Sequence, residues 1–360
     1  LLQYALEHGM IDMSYVQEQI EMDKRKEMLE KHPHEIWEGK NGKWYTYVSD
    51  GKGNRRLKVR KNRDSIEEFL VCHYKEKSEN PLVREVFREW LDGKVKRGDI
   101  EPATKDRYEN QFKKCFLAIE NKKIKSISEY DIEEFVLNCI FENDLTVKSY
   151  SNMRTLLYGI FRMAKKKKYI DYSISEVVKD IEISRKSFRR TVKEDDEEVF
   201  TEEELPIILK YLEDNQDIIN LGILLVFKTG MRIGELVSLE PKDFFEDRIH
   251  ISKTEVKYKI GNGKMRYEVR EFPKTEAGIR DIYIPQSCLW IPRKIRAQNP
   301  FGSYIFERNG KRLRAYVFNN RLRTVCNRLK IKPKSPHKIR KTYGTILLDS
   351  GVEESFVTSQ

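Results

Sequence analysis

Residues 228–236 read KTGMRIGEL and follow a very apolar stretch that is predicted to be helical from Ile218 to Lys228. Gly230 is predicted to end that helix, because glycine adopts the left-handed backbone of helix ends without a steric cost. A second helix is expected to begin at once, from Arg232 to Leu239. An arginine on such a turn is held by both helices, so its guanidinium can bind a phosphate through two hydrogen bonds. Glu235 follows one helical turn later and is expected to brace that guanidinium.

Two further motifs lie nearer the C-terminus. Residues 273–278 read PKTEAG and precede a predicted strand, Ile279 to Pro285, in a region of strands with a hairpin turn at residues 261–263. A lysine at a hairpin tip, such as Lys274, is ordinarily just solvent-exposed. Residues 335–340 read SPHKIR and begin a helix, on which His337 and Arg340 share a face. Each motif alone is weak, since H-x-x-R occurs by chance.

The N-terminal third divides by pattern into two parts. Residues 1–34 are predicted to be a helical segment with a thin apolar face, which favours packing on a neighbour. Residues 35–77 are predicted to form three short strands and a helix that opens with a capping box at Ser65–Glu68. The strands carry a basic run, Arg55, Arg56, Lys58 and Arg60, whose alternate members would form a basic strip. The strip indicates DNA binding, although cations that guard an exposed edge strand remain an alternative.

Residues 78–183 are predicted to be a helical domain and residues 184–199 a linker. The predicted helices are Leu82–Leu91, Ala103–Ile119, Tyr130–Cys139 and Thr146–Tyr169. Four lysines in the last of them exceed what compensation of a helix dipole requires, which suggests an anionic partner: Lys165, Lys166, Lys167 and Lys168. The linker begins with a second basic group, Arg185, Lys186, Arg189 and Arg190, and then turns acidic. Residues 200–360 are predicted to form a third domain, opened by a capping box at Thr201 and Glu204 with Phe200 and Leu205 as a hydrophobic staple.

Composition narrows the classes of function. The 360 residues carry a net charge of +11 with 39% hydrophobic residues, which favours folded domains and a polyanionic partner, although a merely basic soluble protein is equally compatible. The five cysteines are scattered without a CxxC pair, which indicates reduced, core-filling thiols in a cytoplasm rather than disulfides or zinc. No apolar run is long enough for a membrane span, and residues 1–10 lack the basic start of a signal peptide. No metal-ligand spacing and no Walker-type loop is present, so no cofactor is expected.

In their order and context the three motifs resemble the catalytic domain of the tyrosine recombinases. The family pattern is TGxRxxEL, then a lysine on a β-hairpin ahead of a strand, then HxxR at the start of a helix. The joint match is far more specific than any one motif, and it covers residues 201–360. The helical domain is similar to the core-binding domain of the family, and the basic three-stranded unit to the arm-binding domain of integrases. The implied fold class is multidomain and mostly α with small β elements, ending in a mixed α/β catalytic domain.

The resemblance implies a role for each matched residue. Arg232 and Arg340 would bind the nonbridging oxygens of the scissile phosphate, and Glu235 would support Arg232. Lys274 would act as general acid toward the leaving 5′ oxygen, and His337 would assist proton transfer. The family nucleophile, a tyrosine, is expected beyond Gln360, so the chain as given is expected to bind DNA without cleaving it. Tyr343 is too close to Arg340 to be that nucleophile and is expected to be a core or supporting residue.

The implied activity is that of an integrase, which would cut and rejoin DNA through a 3′-phosphotyrosine to integrate and excise a mobile element of phage or conjugative type. The expected partners are double-stranded attachment-site DNA, three further copies in a homotetramer, and an excisionase or a host DNA-bending protein. A cytoplasmic, nucleoid-associated protein that clamps DNA between two domains is expected. Two alternatives stay open. A type IB topoisomerase shares the constellation, and a noncatalytic DNA-binding regulator could use the same fold.

Overall fold

The computed structural model describes residues 13–49, 54–190, 195–260, 263–271 and 278–355. Contacts between Cα atoms divide the chain into two compact units. The first unit is Leu1–Ile100 with Tyr108–Arg189, and the second is Arg190–Gln360 with Glu101–Arg107. The three-part division of residues 1–183 stays a prediction.

The first unit opens with a helix, a three-stranded sheet and a second helix. The elements are α1 Met13–Glu30, β1 Trp37–Glu38, β2 Trp44–Ser49, β3 Arg55–Arg60 and α2 Arg63–Glu79. The strands are antiparallel in the order β1-β2-β3, as predicted, and α2 packs on β2 and β3. The predicted capping box at Ser65 is wrong. Asn62 caps α2, because its side chain accepts a hydrogen bond from the backbone N–H of Ser65 (2.9 Å), so the helix begins earlier than predicted.

A helical block completes the first unit, except that residues 102–107 of one of its helices belong to the second unit. Its helices are α3 Val83–Lys96, α4 Pro102–Cys115, α5 Glu129–Glu142, α6 Val147–Lys166 and α7 Ile174–Asp180. The four predicted helices are present with ends shifted by one to five residues. The largest shift is at the end of α3, which continues five residues past Leu91, whereas α4 stops four residues early at a turn after Cys115 that the apolar period did not reveal. The predicted apolar face of α6 is buried, including Met153, Leu157 and Phe161.

The second unit contains most of the motif residues. Its helices are α8 Asp195–Glu198, α9 Glu204–Asp214, α10 Ile218–Thr229, α11 Ile233–Leu236, α12 Trp290–Gln298, α13 Ala315–Arg328 and α14 Pro336–Asp349. Its strands are β4 Arg248–Ile251, β5 Lys253–Lys259, β6 Met265–Glu271, β7 Arg280–Tyr283, β8 Glu307–Arg308 and β9 Lys311–Arg312. The strands form three antiparallel pairs, β4 with β7, β5 with β6, and β8 with β9. The helix predicted from Arg232 to Leu239 is shorter, because α11 ends at Leu236.

Helix α10 is the centre of the second unit. Eleven of its twelve residues are buried, and it packs against α9, α12, α13 and α14. Gly222 lets two aromatic rings approach the helix, since a Cβ there would lie 2.6 Å from Phe318 and 2.8 Å from Phe306. The predicted capping box is present, with the Thr201 N–H 3.0 Å from the Glu204 carboxylate. The end of α10 is therefore fixed from several sides, which is where the KTGMRIGEL turn begins.

The burial of the cysteines differs from the prediction at one position. Cys115, Cys139, Cys288 and Cys326 are buried as predicted, but Cys72 is exposed on α2, so the prediction that it fills the core is wrong. Cys72 lies next to the helix face that packs on the sheet, where an apolar period cannot separate a boundary position from a core position. Among the described residues no helix is long and apolar enough to cross a membrane.

A histidine connects the N-terminal helix end to the sheet. His32 lies between the Tyr74 hydroxyl (Nδ1, 2.8 Å) and the Thr46 hydroxyl (Nε2, 2.6 Å). The Thr46 hydroxyl donates its own proton to the carbonyl of Glu35, so Nε2 must carry a proton and Nδ1 accepts from Tyr74. Burial, followed by the charges of His34 and His73, lowers the pKa of His32. The folded sheet therefore favours the neutral imidazole.

Acidification is expected to weaken this sheet. A folded-state pKa below the ordinary value means that the stabilisation is present above about pH 6.5 and is lost as the pH falls through the lowered pKa. Hydrogen exchange of the β2 amides between pH 7.5 and 5, corrected for intrinsic rates, should show protection that declines on acidification. The decline should be smaller in His32→Gln, and an equal decline in both proteins would contradict the assignment.

Candidate active site

The Gly230 turn positions the first arginine. Helix α10 ends at Thr229, and Gly230 has a left-handed backbone (φ 64°) with its N–H bonded to the carbonyl of Val226 (2.8 Å). Arg232 is the N-cap of α11, in an extended conformation. Its side chain is 53% exposed, so the guanidinium faces solvent from a rigid turn. The turn therefore presents a fixed cation to whatever anion approaches.

A buried carboxylate holds this turn. Glu235 is 1% exposed, and its Oε1 accepts a hydrogen bond from Nη1 of Arg232 while its Oε2 accepts one from the backbone N–H of Arg232, both at 2.9 Å. The other side of the same carboxylate bonds Arg280 on β7, from Nη2 to Oε2 at 2.9 Å and from Nη1 to Oε1 at 3.2 Å. Glu235 thus fixes both the backbone and the side chain of Arg232.

The Glu235 carboxylate is ionised in this setting. Burial raises its pKa, but the hydrogen bonds and charge of Arg280, followed by the amide and guanidinium of Arg232, outweigh the burial, so its pKa lies below the ordinary value. An ionised carboxylate without partners would be very unfavourable in the interior. The two arginines and the carboxylate therefore depend on one another.

The HxxR motif lies at the start of α14, beside the same turn. Nη1 of Arg340 donates a hydrogen bond to the carbonyl of Gly230 (2.7 Å), which leaves the remaining donors of Arg340 for an anion. His337 precedes it by three residues and is exposed. A pocket of about 180 Å³ is lined by Thr229, Gly230, His337, Arg340, Lys341, Tyr343, Gly344 and Leu347. The structure thus brings together the glycine of the first motif with the histidine and arginine of the third.

Electrostatics indicate an anion site. Burial, followed by the charges of Arg232 and Arg280, lowers the pKa of Arg340. Burial lowers the pKa of His337 as well, and the cations Lys341, Arg340, Arg232 and Lys338 lower it further. A group of cations that disfavour one another's charge is stabilised when a phosphate binds among them. His337 is neutral near pH 7 before that happens.

Of the remaining motif residues, Lys274 falls outside the described residues. The strands on either side of it are β6, which ends at Glu271, and β7, which begins at Arg280. Tyr343 is half-buried, and burial raises its pKa. Its ring lies directly against Gly230, since a Cβ on that glycine would be 2.3 Å from Cδ1 of Tyr343. Tyr343 is therefore a packing residue of the turn, in agreement with the sequence.

The basic residues of β3 alternate between the two faces of the sheet. Arg56, Lys58 and Arg60 pair with Val48, Thr46 and Trp44, so they project from the face that packs on α2. Lys58 and Arg60 lie over the ring of Phe69, at 5.5 and 4.7 Å from its centroid. Arg55 projects from the opposite face, which presents Trp37, Tyr45 and Tyr47. The alternate members Arg56, Lys58 and Arg60 therefore share one face, as predicted, but that face packs on α2.

The other predicted DNA-binding cations are exposed, but two of them have partners. Lys165, Lys166 and Lys168 have exposed side chains at the end of α6, whereas Lys167 pairs with Glu89. Arg185, Lys186 and Arg190 are exposed beyond α7, whereas Arg189 lies 3.4 Å from Asp144. The pairs are on the surface, where such contacts contribute little.

Sequence reasoning missed two parts of the site. Arg280 lies within the predicted strand Ile279 to Pro285 but is not among the predicted site residues, although it shares the inward register of Ile282 and Ile284, and a cation at such a position signals a buried partner. The acidic run before residue 200 was interpreted only as linker. In the structure Glu198 pairs with Lys338 and Lys341, and Glu197 pairs with Lys332, so this run lies against the cations that flank the HxxR motif.

Replacement of Gly230 by alanine tests how tightly the turn is built. The added methyl meets Tyr343 and the φ is left-handed, so we expect Gly230→Ala to lower the free energy of unfolding by about 2–5 kcal/mol. Gly310→Ala is the matched control, because Gly310 has φ 69° with no atom within 4 Å of the added Cβ. The control should lose only about 1–2 kcal/mol in urea unfolding. Equal losses would show that Tyr343 does not restrict the turn.

Comparison with known proteins agrees with this geometry. The phage integrase family matches residues 198–360. The ICEBs1 integrase of Bacillus subtilis (strain 168) is 24% identical over 250 residues, a match that covers 65% of this chain and 62% of the relative, so it spans less than two thirds of the relative's length.

Two solved structures share the fold. The Tn1549 transposon integrase in complex with a circular intermediate DNA has a TM-score of 0.59 at 20% identity, over 77% of this chain and 90% of that one. A lambda integrase tetramer bound to a Holliday junction has a TM-score of 0.55 at 14% identity, over 91% and 95%. Residues 198–360 of this chain therefore form a phage integrase family domain, and the chain shares the fold of both integrases.

Proposed function

We propose that the natural protein is a site-specific recombinase that integrates and excises a mobile DNA element. The observation that carries the proposal is the convergence on Gly230. Arg340 is bonded to its carbonyl, and Arg232 follows it on a turn held by a buried carboxylate. Two fixed guanidinium groups beside a neutral histidine suit the charge of a phosphodiester, which increases as a nucleophile attacks.

The proposed reaction proceeds without metal or nucleotide. A tyrosine oxygen attacks the phosphorus, the bond from phosphorus to the 5′ oxygen breaks, and Lys274 gives its proton to that oxygen. Arg232 and Arg340 bind the nonbridging oxygens throughout. The 3′-phosphotyrosine keeps the energy of the phosphodiester, so a 5′ hydroxyl of another strand can reverse the step. Tyr343 is packed against Gly230, so we do not assign it as the nucleophile.

His337 would serve the proton side of the reaction. Its pKa is lowered by burial and neighbouring cations in the absence of a ligand, and a bound phosphate would raise that pKa again. A neutral imidazole can donate one hydrogen bond to a phosphate oxygen and accept a proton at its other nitrogen. This makes it suited to orient the phosphate and assist transfer from the tyrosine.

The proposed substrate is double-stranded DNA at the ends of the element, held by a homotetramer. Exposed or half-buried cations in both units support binding to a polyanion: Arg55, Arg56, Lys58, Arg60, Lys165, Lys166, Lys168, Arg185, Lys186 and Arg190. An excisionase or host DNA-bending protein would set the direction of recombination.

Formation of a covalent adduct tests the activity directly. The natural protein, incubated with nicked duplexes made from the element's own ends, should form a protein–DNA adduct that survives denaturing electrophoresis. Arg232→Ala should form it about 10²–10³ times more slowly, as expected for loss of one preorganised charge donor. Lys242→Ala, which removes an exposed surface cation, is the matched control and should keep the rate.

The other outcomes identify the alternatives. Tight, specific binding without an adduct would identify a noncatalytic regulator on a recombinase fold. Relaxation of supercoiled plasmid without any requirement for the element's ends would identify a type IB topoisomerase. Neither result would be compatible with the proposal.

The dependence of binding on salt tests the lysines of α6. Each phosphate contact contributes about 0.9 to the slope of log affinity against log salt. Lys165→Gln and Lys168→Gln are each expected to make the slope shallower by about that amount. Lys167→Gln is the internal control, because Glu89 already neutralises that ammonium, and its effect should be smaller. Equal effects of the three substitutions would show that the DNA does not contact this end of the helix as proposed.

A further inference from the structure

Arg280 is the least exposed arginine of the site. Its side chain is 9% exposed, and it lies on β7 opposite the buried Ile251 of β4. An arginine so deep in a protein has to be paired, because an isolated interior charge is very costly. The groups that Arg280 pairs with therefore indicate which part of the site depends on it.

The pairing links two segments of the chain that both carry motif residues. Two nitrogens of Arg280 bond the Glu235 carboxylate, at 2.9 and 3.2 Å, and Nη1 also donates to the carbonyl of Gly278 at 3.3 Å. Gly278 is the first described residue after the segment that contains Lys274. The same carboxylate bonds the backbone and guanidinium of Arg232. One guanidinium thus joins the Arg232 turn to the end of the lysine segment.

The charges of the site distinguish the role of Arg280 from the roles of Arg232 and Arg340. The carboxylate of Glu235 carries one negative charge, and Arg280 neutralises it through two hydrogen bonds. Arg232 and Arg340 then keep their charges for a phosphate. Without Arg280, only Arg232 would neutralise the Glu235 carboxylate. The guanidinium of Arg232 would then be bound to the interior carboxylate and would no longer be available to a phosphate.

Arg280 also has an unused donor. Its Nε is buried and has no hydrogen-bond acceptor among the residues that the structure describes. A buried donor without a partner is unfavourable, so a position selected for stability alone would be better filled by an apolar residue like its neighbour in register, Ile282.

We propose that Arg280 is a positioning residue for the recombination chemistry, which sets Arg232 through the Glu235 carboxylate. The inference rests on the proposed function and goes one step further, because it assigns a third arginine that does not touch DNA. Loss of Arg280 should slow cleavage without weakening DNA binding, since the exposed cations remain.

The experiment uses the natural protein with Arg280→Met, and single-turnover adduct formation on the element's ends as the readout. Two substrates are compared, one with the ordinary 5′ oxygen and one with sulfur at that position, because a thiolate leaves without needing a proton. Arg280→Met should slow cleavage of the oxygen substrate about 100-fold, with unchanged affinity for DNA. The sulfur substrate should not recover that rate, as for Arg232→Ala, whereas it should recover the rate of Lys274→Ala.

Arg312→Met is the matched control. Arg312 forms a comparably buried ion pair with Glu255 (2.7 Å; 13% and 3% exposed), in the same unit but without a contact to Arg232. It should lose stability without a comparable loss of cleavage rate. If Arg280→Met cleaves both substrates at the rate of this control, Arg280 is not a positioning residue. Recovery of the rate on the sulfur substrate would show that Arg280 acts on the proton donor and not on Arg232, and it would overturn the proposal.

A double variant covers the case in which Arg280→Met does not fold. Arg280→Met with Glu235→Gln removes both buried charges and should restore folding, yet cleavage should stay slow because Arg232 has lost its ionised support. If both folding and the cleavage rate recovered, the Arg280–Glu235 pair would have only a structural role. A wild-type protein that forms no adduct on its own ends would overturn the proposed function and this inference with it, which distinguishes that result from a failure of Arg280 alone.

Discussion

The structure of the site depends on one buried carboxylate. Glu235 is 1% exposed and ionised, and it bonds Arg232 on one side and Arg280 on the other. Removal of one partner from such a buried group costs about 3–5 kcal/mol, which is a large part of the stability of an ordinary domain. The carboxylate therefore restricts where the neighbouring turn and strand can lie, and it makes α11 the anchor of the site despite its four residues.

The second constraint is the close contact at Gly230. The turn is left-handed, Tyr343 packs against its Cα, and Arg340 bonds its carbonyl. Helices α10 and α14 thus meet at a residue without a side chain. The arginines of two motifs more than 100 positions apart in the chain are placed by the same backbone, and the order of the motifs has a structural reason. Any side chain at Gly230 would separate the helix that carries His337 from the turn that carries Arg232.

An acidic residue, Glu198, lies beside the lysines that neighbour the HxxR residues. Glu198 pairs with Lys338 and Lys341, the neighbours of His337 and Arg340 in sequence. The pairs reduce the local positive charge, although Arg232 stays exposed. Exposed ion pairs of this kind are weak and are screened by salt.

The sequence predicted the elements with strong local signals and missed those that depend on partners. The apolar helix α10, its end at Gly230 and the shared face of His337 and Arg340 follow from periodicity and spacing, and all are present. The cap at Asn62 was missed because Ser65 and Glu68 formed an equally good local pattern nearby. The burial of Arg280 depends on Glu235, 45 positions away, which no local pattern contains. The alternation of the basic run across β3 follows from the strand period, but which of the two faces α2 covers is a tertiary choice.

We infer that the ionised carboxylate of Glu235 supports catalysis through Arg232. The most direct measurement is the single-turnover rate of adduct formation by Glu235→Gln at saturating DNA, with Glu204→Gln as the control that breaks an ion pair with Lys334 elsewhere in the unit. The account predicts a rate about 100-fold below wild type for Glu235→Gln, with unchanged DNA affinity and a near wild-type rate for the control. A wild-type rate in Glu235→Gln would contradict it.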